Sequence, residues 1–439
     1  MVMEVINVHY HTHHVGAVSF DAETGLGAFE YARAFISTGV QLSPIKMPLA
    51  KHIYTYPNLA YATYKGLPGL LADSLPDDFG NAVLNAWVAS RGKKPSDITP
   101  LQRLQYTGKR GMGALDYVPA MVLEGQHTVE QLDIESLVGI AQAVLDRHGD
   151  FAIEWEPEKQ KGNEAMLALL SVGVSAGGAR PKAVLAFDES FTQVRSGQAE
   201  IPAGFTHYLM KFDGVSEHHT DRETFGDPMG YGAMEYVYYL MATACGITMM
   251  PSKLLIEGER RHFITQRFDR IGNHKVHVQT LNGLAHVDYK MPGTYSYAEL
   301  FGVARALGLT AQDAEQLFRR MVYNIVARNH DDHAKNIAFM LNEDHQWQLA
   351  PAYDVVYSYK PGSRWVNQHW MSLNGKREQF TRDDFYSLET LSPLFTRKKV
   401  NHIIDETITQ VARWRTLAVE HAVPRVLIDR IEENLRLDL

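Results

Sequence analysis

Two hydrophobic periods alternate along the chain, and together they predict a mixed α and β architecture. Val15–Phe20 and Gly25–Tyr31 read as short strands around a turn at Glu23-Thr24-Gly25. From Asp77 to Gly92 the period changes: Phe79, Val83 and Trp87 share one helical face, and Gly92 stands where a helix would end. Thr99-Pro100-Leu101-Gln102 then gives an N-cap, a proline at the first helical position and a capping glutamine, with Gly108 as the stop. Gly111-Met-Gly113 turns into a strand at Leu115–Val118, and a further helix is expected over Ile134–Leu145. The charged, aperiodic stretch from Asp150 to Asn163 reads as a boundary or an exposed loop.

Beyond it, strand patterns recur at Ala183–Phe187, His207–Phe212, Lys253–Ile256 and Phe263–Phe268. The last two flank a turn at Glu257-Gly258-Glu259-Arg260. After about Ser296 the chain reads as mostly helical, with capping boxes at Ser296/Glu299 and Thr310/Asp313. A helix over Ala311–Arg328 precedes a hairpin of Ile337–Leu341 and Trp347–Leu349. No internal repeat or low-complexity tract interrupts this order.

Composition narrows the function. The chain has 439 residues, 45% hydrophobic and 21% charged, and a net charge of −8. These are values of a packed protein, and the acidic balance excludes broad charge-driven binding to nucleic acid. One cysteine, Cys245, cannot form an intrachain disulfide. Met1–Tyr10 lacks the basic and apolar regions of a signal peptide, and no run reaches the roughly 18 apolar residues of a membrane span. A soluble, cytoplasmic protein is expected.

The densest chemistry is Asn329-His-Asp331-Asp-His333-Ala-Lys335-Asn336, followed past the hairpin by Pro351-Ala-Tyr353-Asp354. Asp331 and Asn336 have the spacing of a kinase catalytic loop, and a second aspartate follows in the expected order. Phosphoryl transfer needs one carboxylate to orient the attacking hydroxyl, and an amide oxygen with another carboxylate to hold magnesium. The competing interpretation is an ordinary polar surface loop in which Asp332 and His333 are solvated. Upstream, Ser175-Ala-Gly177-Gly178-Ala179-Arg180-Pro181-Lys182 is a glycine-bearing loop running into a strand, though it fits neither the Walker nor the protein-kinase glycine pattern. Lys211 ends a strand and Glu235 heads an apolar helix, as in the lysine–glutamate pair that positions ATP phosphates in kinases. Lys211 could instead snorkel from a strand edge, and the glycine-bearing loop could be an ordinary turn before a strand. His9, His11, His13 and His14 would share a face if they lay on one strand, but without a nearby carboxylate or cysteine they read as a solvent-facing strand rather than a metal site.

These pieces resemble the HipA-type serine/threonine kinases, toxins of bacterial toxin–antitoxin modules. The resemblance runs over almost the whole chain. It is carried by Val15-Gly-Ala-Val18, Leu42-Ser-Pro, Leu71-Ala-Asp-Ser-Leu-Pro-Asp77 and Gly113-Ala-Leu, then by Ser175-x-x-Gly-Ala-x-x-Lys182, Lys211, Arg267-Phe-Asp-Arg270, Asp331-x-His-Ala-Lys-Asn336 and Pro351-x-Tyr-Asp354.

The resemblance implies an α+β, two-lobed protein-kinase-like fold with an N-terminal α/β subdomain over 1–125, a β-containing lobe with the phosphate loop over 126–275, and a mostly helical lobe over 276–439. It implies Asp331 as catalytic base, and Asn336 and Asp354 as magnesium ligands. Gly177, Gly178, Ala179, Arg180, Pro181, Lys182, Lys211, Glu235, Gln266, Arg267, Phe268, His333, Lys335, Asn336 and Tyr353 would surround ATP, and Ser175 would be the site of inhibitory autophosphorylation. An aminoacyl-tRNA synthetase is the implied class of substrate. A HipB-like DNA-binding antitoxin is the implied partner, the operator being touched only through that complex, near a basic turn at Lys376 and Arg377. Asp332 stands where some members carry glycine and is expected to add negative charge near the phosphates. Two rivals remain at this point: a catalytically degenerate kinase-fold module that binds a partner, and a metal phosphohydrolase using His330 and Asp331.

Overall fold

In the computed structural model the described residues are 4–121, 134–146, 180–198, 200–216 and 226–439. They divide into two compact units: Met1–Leu42, Met47–Gly232 and Lys253–Val278 form the first, and Ser43–Lys46, Ala233–Ser252 and Gln279–Leu439 the second.

The first unit holds two five-stranded sheets. One is built from β1 (Glu4–Tyr10), β2 (His13–Asp21), β3 (Leu26–Tyr31), β4 (Ile53–Tyr54) and β5 (Leu115–Val118), in the order β4-β3-β2-β1-β5. The histidine run is not one strand. It straddles the β1–β2 turn, where His11 adopts a positive φ of 52° and His9 faces His14 across the hairpin. His14 reaches Asn7 Oδ1 at 3.2 Å and His11 stacks on His274, and among the described residues no cluster of His, Cys, Asp and Glu fit for a metal is present.

Two helices follow the sequence pattern closely. α1 spans Asp78–Ser90, capped by the Asp77 carboxylate accepting from the Gly80 N–H at 2.6 Å. α2 spans Pro100–Thr107, with the Thr99/Gln102 capping box closed at both bonds and Gly108 as its C-cap. With α3 (Ile134–Asp146) they precede the second sheet, of β6 (Lys182–Asp188), β7 (Val194–Ser196), β8 (Phe205–Lys211), β9 (Ser252–Glu257) and β10 (Arg260–Gln266), in the order β9-β10-β8-β6-β7. Phe79 and Val83 of α1, Leu137 and Ala141 of α3, and Leu185, Met210 and Ile264 of the sheet form one buried core. The helix of the N-terminal stretch therefore shares its apolar face with the sheet of the middle stretch, and burial of that face stabilises both.

The second unit is mainly helical. Its frame comprises α4 (Tyr231–Ala244, whose first two residues belong to the first unit), α5 (Tyr297–Ala306), α6 (Ala311–Val326), α7 (Arg382–Tyr386), α8 (Arg397–Val411), α9 (Trp414–Glu420) and α10 (Arg425–Glu432). The capping boxes at Ser296/Glu299 and Thr310/Asp313 are formed, and a third, at Thr381/Asp384, opens α7. α6 buries Leu317, Phe318, Met321, Val322 and Ile325, the stripe of a core-facing helix. It ends two residues before the expected Arg328, because Arg328 has φ +58°, a left-handed residue that turns the chain out of the helix. The hairpin of β11 (Ala338–Leu341) and β12 (Trp347–Leu349) then pairs Phe339 with Leu349. Among the described residues no helix is long and apolar enough to cross a membrane.

Candidate active site

Arg328 delivers the chain into the loop 329–336, which the hairpin β11–β12 closes from behind. Asp331 and Asp332 are neighbours with opposite fates. The Asp331 side chain is 45% exposed, whereas that of Asp332 is fully enclosed. Asn336 ties the loop together, its side-chain amide donating to the Asp331 carbonyl at 2.8 Å and its backbone N–H donating to His333 O at 2.9 Å. With the amide nitrogen engaged there, the amide oxygen is the atom left to act as a ligand. His333 Nε2 lies 3.6 Å from Asp331 Oδ1.

Past the hairpin, the Tyr353 hydroxyl donates to Lys335 O at 2.6 Å, fixing the next turn of chain against the loop. Asp354 follows with φ +53°, a conformation that aspartate tolerates better than most residues. Asn336, Tyr353, Asp354 and Asp332 line one pocket together with Tyr297, Asn324 and Arg320. An amide oxygen and a carboxylate in one pocket are hard oxygen donors. Magnesium takes one or two such protein ligands and completes its shell with phosphate and water, so these residues fit that ion. Lys335 projects its ammonium over the Tyr289 ring at 4.9 Å, and the same ring meets His333 edge-on at 5.3 Å.

Asp332 is neither solvated nor turned outward as a free charge. It accepts from the Tyr297 hydroxyl at 2.5 Å, from the Trp370 N–H at 2.7 Å and pairs with His369 Nδ1 at 3.1 Å. The carboxylate is enclosed by these donors rather than solvated, while still lining the pocket of Asn336 and Asp354. His330 is also fully buried, its ring 4.1 Å from that of His369 and 4.8 Å from that of Tyr359. Burial, then His369 and Arg328, push its imidazole far below the ordinary range, so it is a neutral packing group.

In the first unit, Lys182 and Lys211 are direct cross-strand partners of β6 and β8, both buried. Their side chains therefore leave the sheet on the same face. Lys182 meets the Asp77 carboxylate at 3.1 Å, and the Lys211 ammonium lies 6.0 Å from the centre of the Phe263 ring. Arg180 stands over the Tyr231 ring at 6.0 Å, and the Pro181 carbonyl accepts from the Phe212 N–H. Ser175, Gly177, Gly178 and Ala179 lie outside the described residues. Glu235 is buried on α4 of the second unit.

Arg267 belongs to a charge cluster. Its guanidinium grips Asp269 at 2.8 and 2.6 Å, and Arg270 reaches the same carboxylate at 2.8 Å. Asp269 also accepts from the Gly113 N–H at 2.9 Å, while Arg270 donates to the carbonyls of Gly111 and Gly113. The Arg-Phe-Asp-Arg motif thus pins the Gly111–Gly113 turn to the end of β10. Burial alone would raise the Asp269 carboxyl, but the two guanidiniums outweigh it and hold the group far below the usual carboxylate range. Gln266 and Phe268 are half-buried beside it. The basic turn is likewise engaged: Lys376 pairs with Asp384 at 2.9 Å while staying 46% exposed, and Arg377 donates to His369 O at 2.6 Å.

Sequence reasoning missed Asp77, Asp213, Tyr297 and His369 as partners. Asp213 accepts from the Gly230, Gly232 and Arg261 N–H groups and receives no short-range signal in the sequence.

Comparison with known proteins places this geometry. A model of the HipA-like C-terminal domain matches residues 174–415, and one of the HipA N-terminal domain matches residues 6–118. The chain belongs to the HipA family. It is 24% identical over 190 residues to a curated protein of Sinorhizobium fredii (strain NBRC 101917 / NGR234) named "Putative kinase Y4mE", a match spanning 39% of this chain and 44% of that relative. HipA of Shewanella oneidensis MR-1, solved as a toxin–antitoxin complex with HipB and operator DNA, superposes with a TM-score of 0.63 at 16% identity, covering 98% of this chain and 95% of that one. The fold is α+β and protein-kinase-like.

Proposed function

We propose that the chain is a HipA-type protein serine/threonine kinase that uses ATP and magnesium. The observation that carries the reading is the pocket that Asn336 and Asp354 both line, with Asp331 exposed on the loop that Asn336 holds. Asp331 accepts the proton of the attacking hydroxyl as that oxygen bonds to the γ-phosphorus and the bond to the ADP oxygen breaks. Asn336 and Asp354 would hold the metal, whose charge would offset that of the phosphates. Lys182, Lys211, Gln266–Phe268, Glu235, His333, Lys335 and Tyr353, with the glycine loop 177–181, are the nucleotide contacts implied by the family pattern. Ser175 is the proposed site of inhibitory self-modification, since a phosphate dianion there would repel ATP.

An aminoacyl-tRNA synthetase is the proposed class of substrate. A HipB-like antitoxin is the proposed partner, supported by the likeness to the Shewanella complex, and operon co-repression would run through it. Activity in the cytoplasm completes the reading.

Purified protein incubated with radiolabelled ATP and magnesium tests it. Label on Ser175 or on an added synthetase, lost in Asp331→Ala, is the expected result. An exposed loop carboxylate contributes little packing, so that variant is expected to fold. A wild-type protein that neither transfers label nor already carries phosphate on Ser175 would defeat the proposal.

A further inference from the structure

Asp332 follows the proposed base directly, yet its carboxylate is committed to the interior. Its partners come from two separate parts of the chain: Tyr297 opens α5, and His369 and Trp370 lie downstream of Asp354. Burial, with Asp332 as the second cause, keeps the Tyr297 hydroxyl well above its ordinary pKa, so it remains a donor. Trp370 binds the loop twice, its N–H lying 2.7 Å from Asp332 Oδ1 and 3.1 Å from the His330 carbonyl. The segment carrying His369 is itself stitched in place, because Gly293 donates to Trp370 O, Ser372 to Tyr295 O and Tyr297 to Ser372 O.

A buried carboxylate without donors is costly, so the loop and the segment are stable in this arrangement only together. The two neighbouring carboxylates point to opposite environments, Asp332 inward at 0% exposure and Asp331 outward at 45%, so anchoring the one fixes the backbone that carries the other.

We propose that Asp332 is a positioning residue: its clamp on Tyr297, His369 and Trp370 sets the angle of Asp331, and the threading of His369 makes the segment beyond Asp354 a condition of catalysis. This rests on the kinase reading. The test is steady-state phosphoryl transfer by the full chain in Asp332→Asn, His369→Leu and His369→Asn, the last keeping an amide donor where Nδ1 stands. Asp332→Asn and His369→Leu are expected to lose roughly a hundredfold in kcat with KM for MgATP within about threefold, and His369→Asn to recover most of the loss. Wild-type kcat in both Asp332→Asn and His369→Leu would overturn the proposal. So would equal losses in all three with KM rising in step, the mark of mere packing. If Asp332→Asn does not fold, the two His369 variants decide. If the wild type transfers no phosphate, the kinase reading fails by itself, and amide exchange over 331–336 judges the clamp: faster exchange in His369→Leu supports it, unchanged exchange overturns it.

Discussion

Asp77 and Lys182, far apart in the chain, meet in the first unit as a buried ion pair at 3.1 Å, their side chains 2% and 3% exposed. One caps α1 and the other opens β6, so the pair joins the N-terminal stretch to the sheet that follows the glycine loop. Burial pushes the Asp77 carboxyl up, and Lys182 and the Gly80 N–H draw it back. Removing one member leaves the other charge desolvated, which costs more than the pair contributes when intact.

Asp77→Ala should therefore destabilise the protein by about 3–5 kcal/mol, of which about 1 is the lost helix cap. The double variant Asp77→Leu/Lys182→Met, which removes both charges, should recover part of that loss. Urea unfolding of wild type, Asp77→Leu, Lys182→Met and the double closes the cycle, with Asp77→Ala measured beside it. A double variant no more stable than Asp77→Ala would show that the pair does not act as a unit.

Three histidines, His207 and His277 buried and His286 half-buried, set an acid limit on stability. Burial lowers His207, helped by Arg267 and Arg270, to about 4; burial takes His277 to about 4 against its bond to Leu42, and burial with the charge of Lys46 takes His286 to about 4. In the unfolded chain such groups titrate near 6.5. Below that pH the unfolded state binds protons that the folded state refuses, so stability is complete above about 6.5 and falls as pH drops toward 4. The urea midpoint should decline across this window. His207→Leu should flatten part of the decline, and an unchanged slope would count against His207 as a contributor.

Much of the fold could be read from local signals. The caps at Thr99, Ser296 and Thr310 sit where the sequence places them, because a cap is a contact between residues three apart. The order of loop, hairpin and second aspartate was legible for the same reason. The histidine run was misplaced because a turn at His11 carries no glycine or proline to announce it. The fate of Asp332 was hidden because its partners, Tyr297 and His369, are far away in sequence. The helical stretch beginning at Asp77 was visible, but nothing local in the sequence says that this residue caps the helix with one oxygen and faces Lys182 with the other.

Gly232 offers a stringent check of the packing at the start of α4. A Cβ built there would lie 1.9 Å from the Arg261 carbonyl oxygen, and its own N–H donates to Asp213 at 3.2 Å. Backbone cannot yield as a flexible side chain can, so Gly232→Ala should force the helix start away from β10 and break bonds to Asp213. A loss of about 2 kcal/mol or more is expected in urea unfolding. Wild-type stability in this variant would mean that the two backbones are farther apart than described.

Magnesium should separate the roles of Asn336 and Asp354. Asn336 offers a neutral amide oxygen while its nitrogen holds the Asp331 carbonyl, whereas Asp354 offers a full charge. Asn336→Ala removes one weak ligand and one loop bond, so its phosphoryl transfer should fall roughly a hundredfold at low magnesium and recover in part as the ion is raised. Asp354→Ala removes the charge proposed to hold the ion, and added magnesium should restore little. Activity titrated against magnesium chloride at saturating ATP distinguishes the two. Equal rescue of both variants would show that Asp354 contributes no more to metal binding than an amide does.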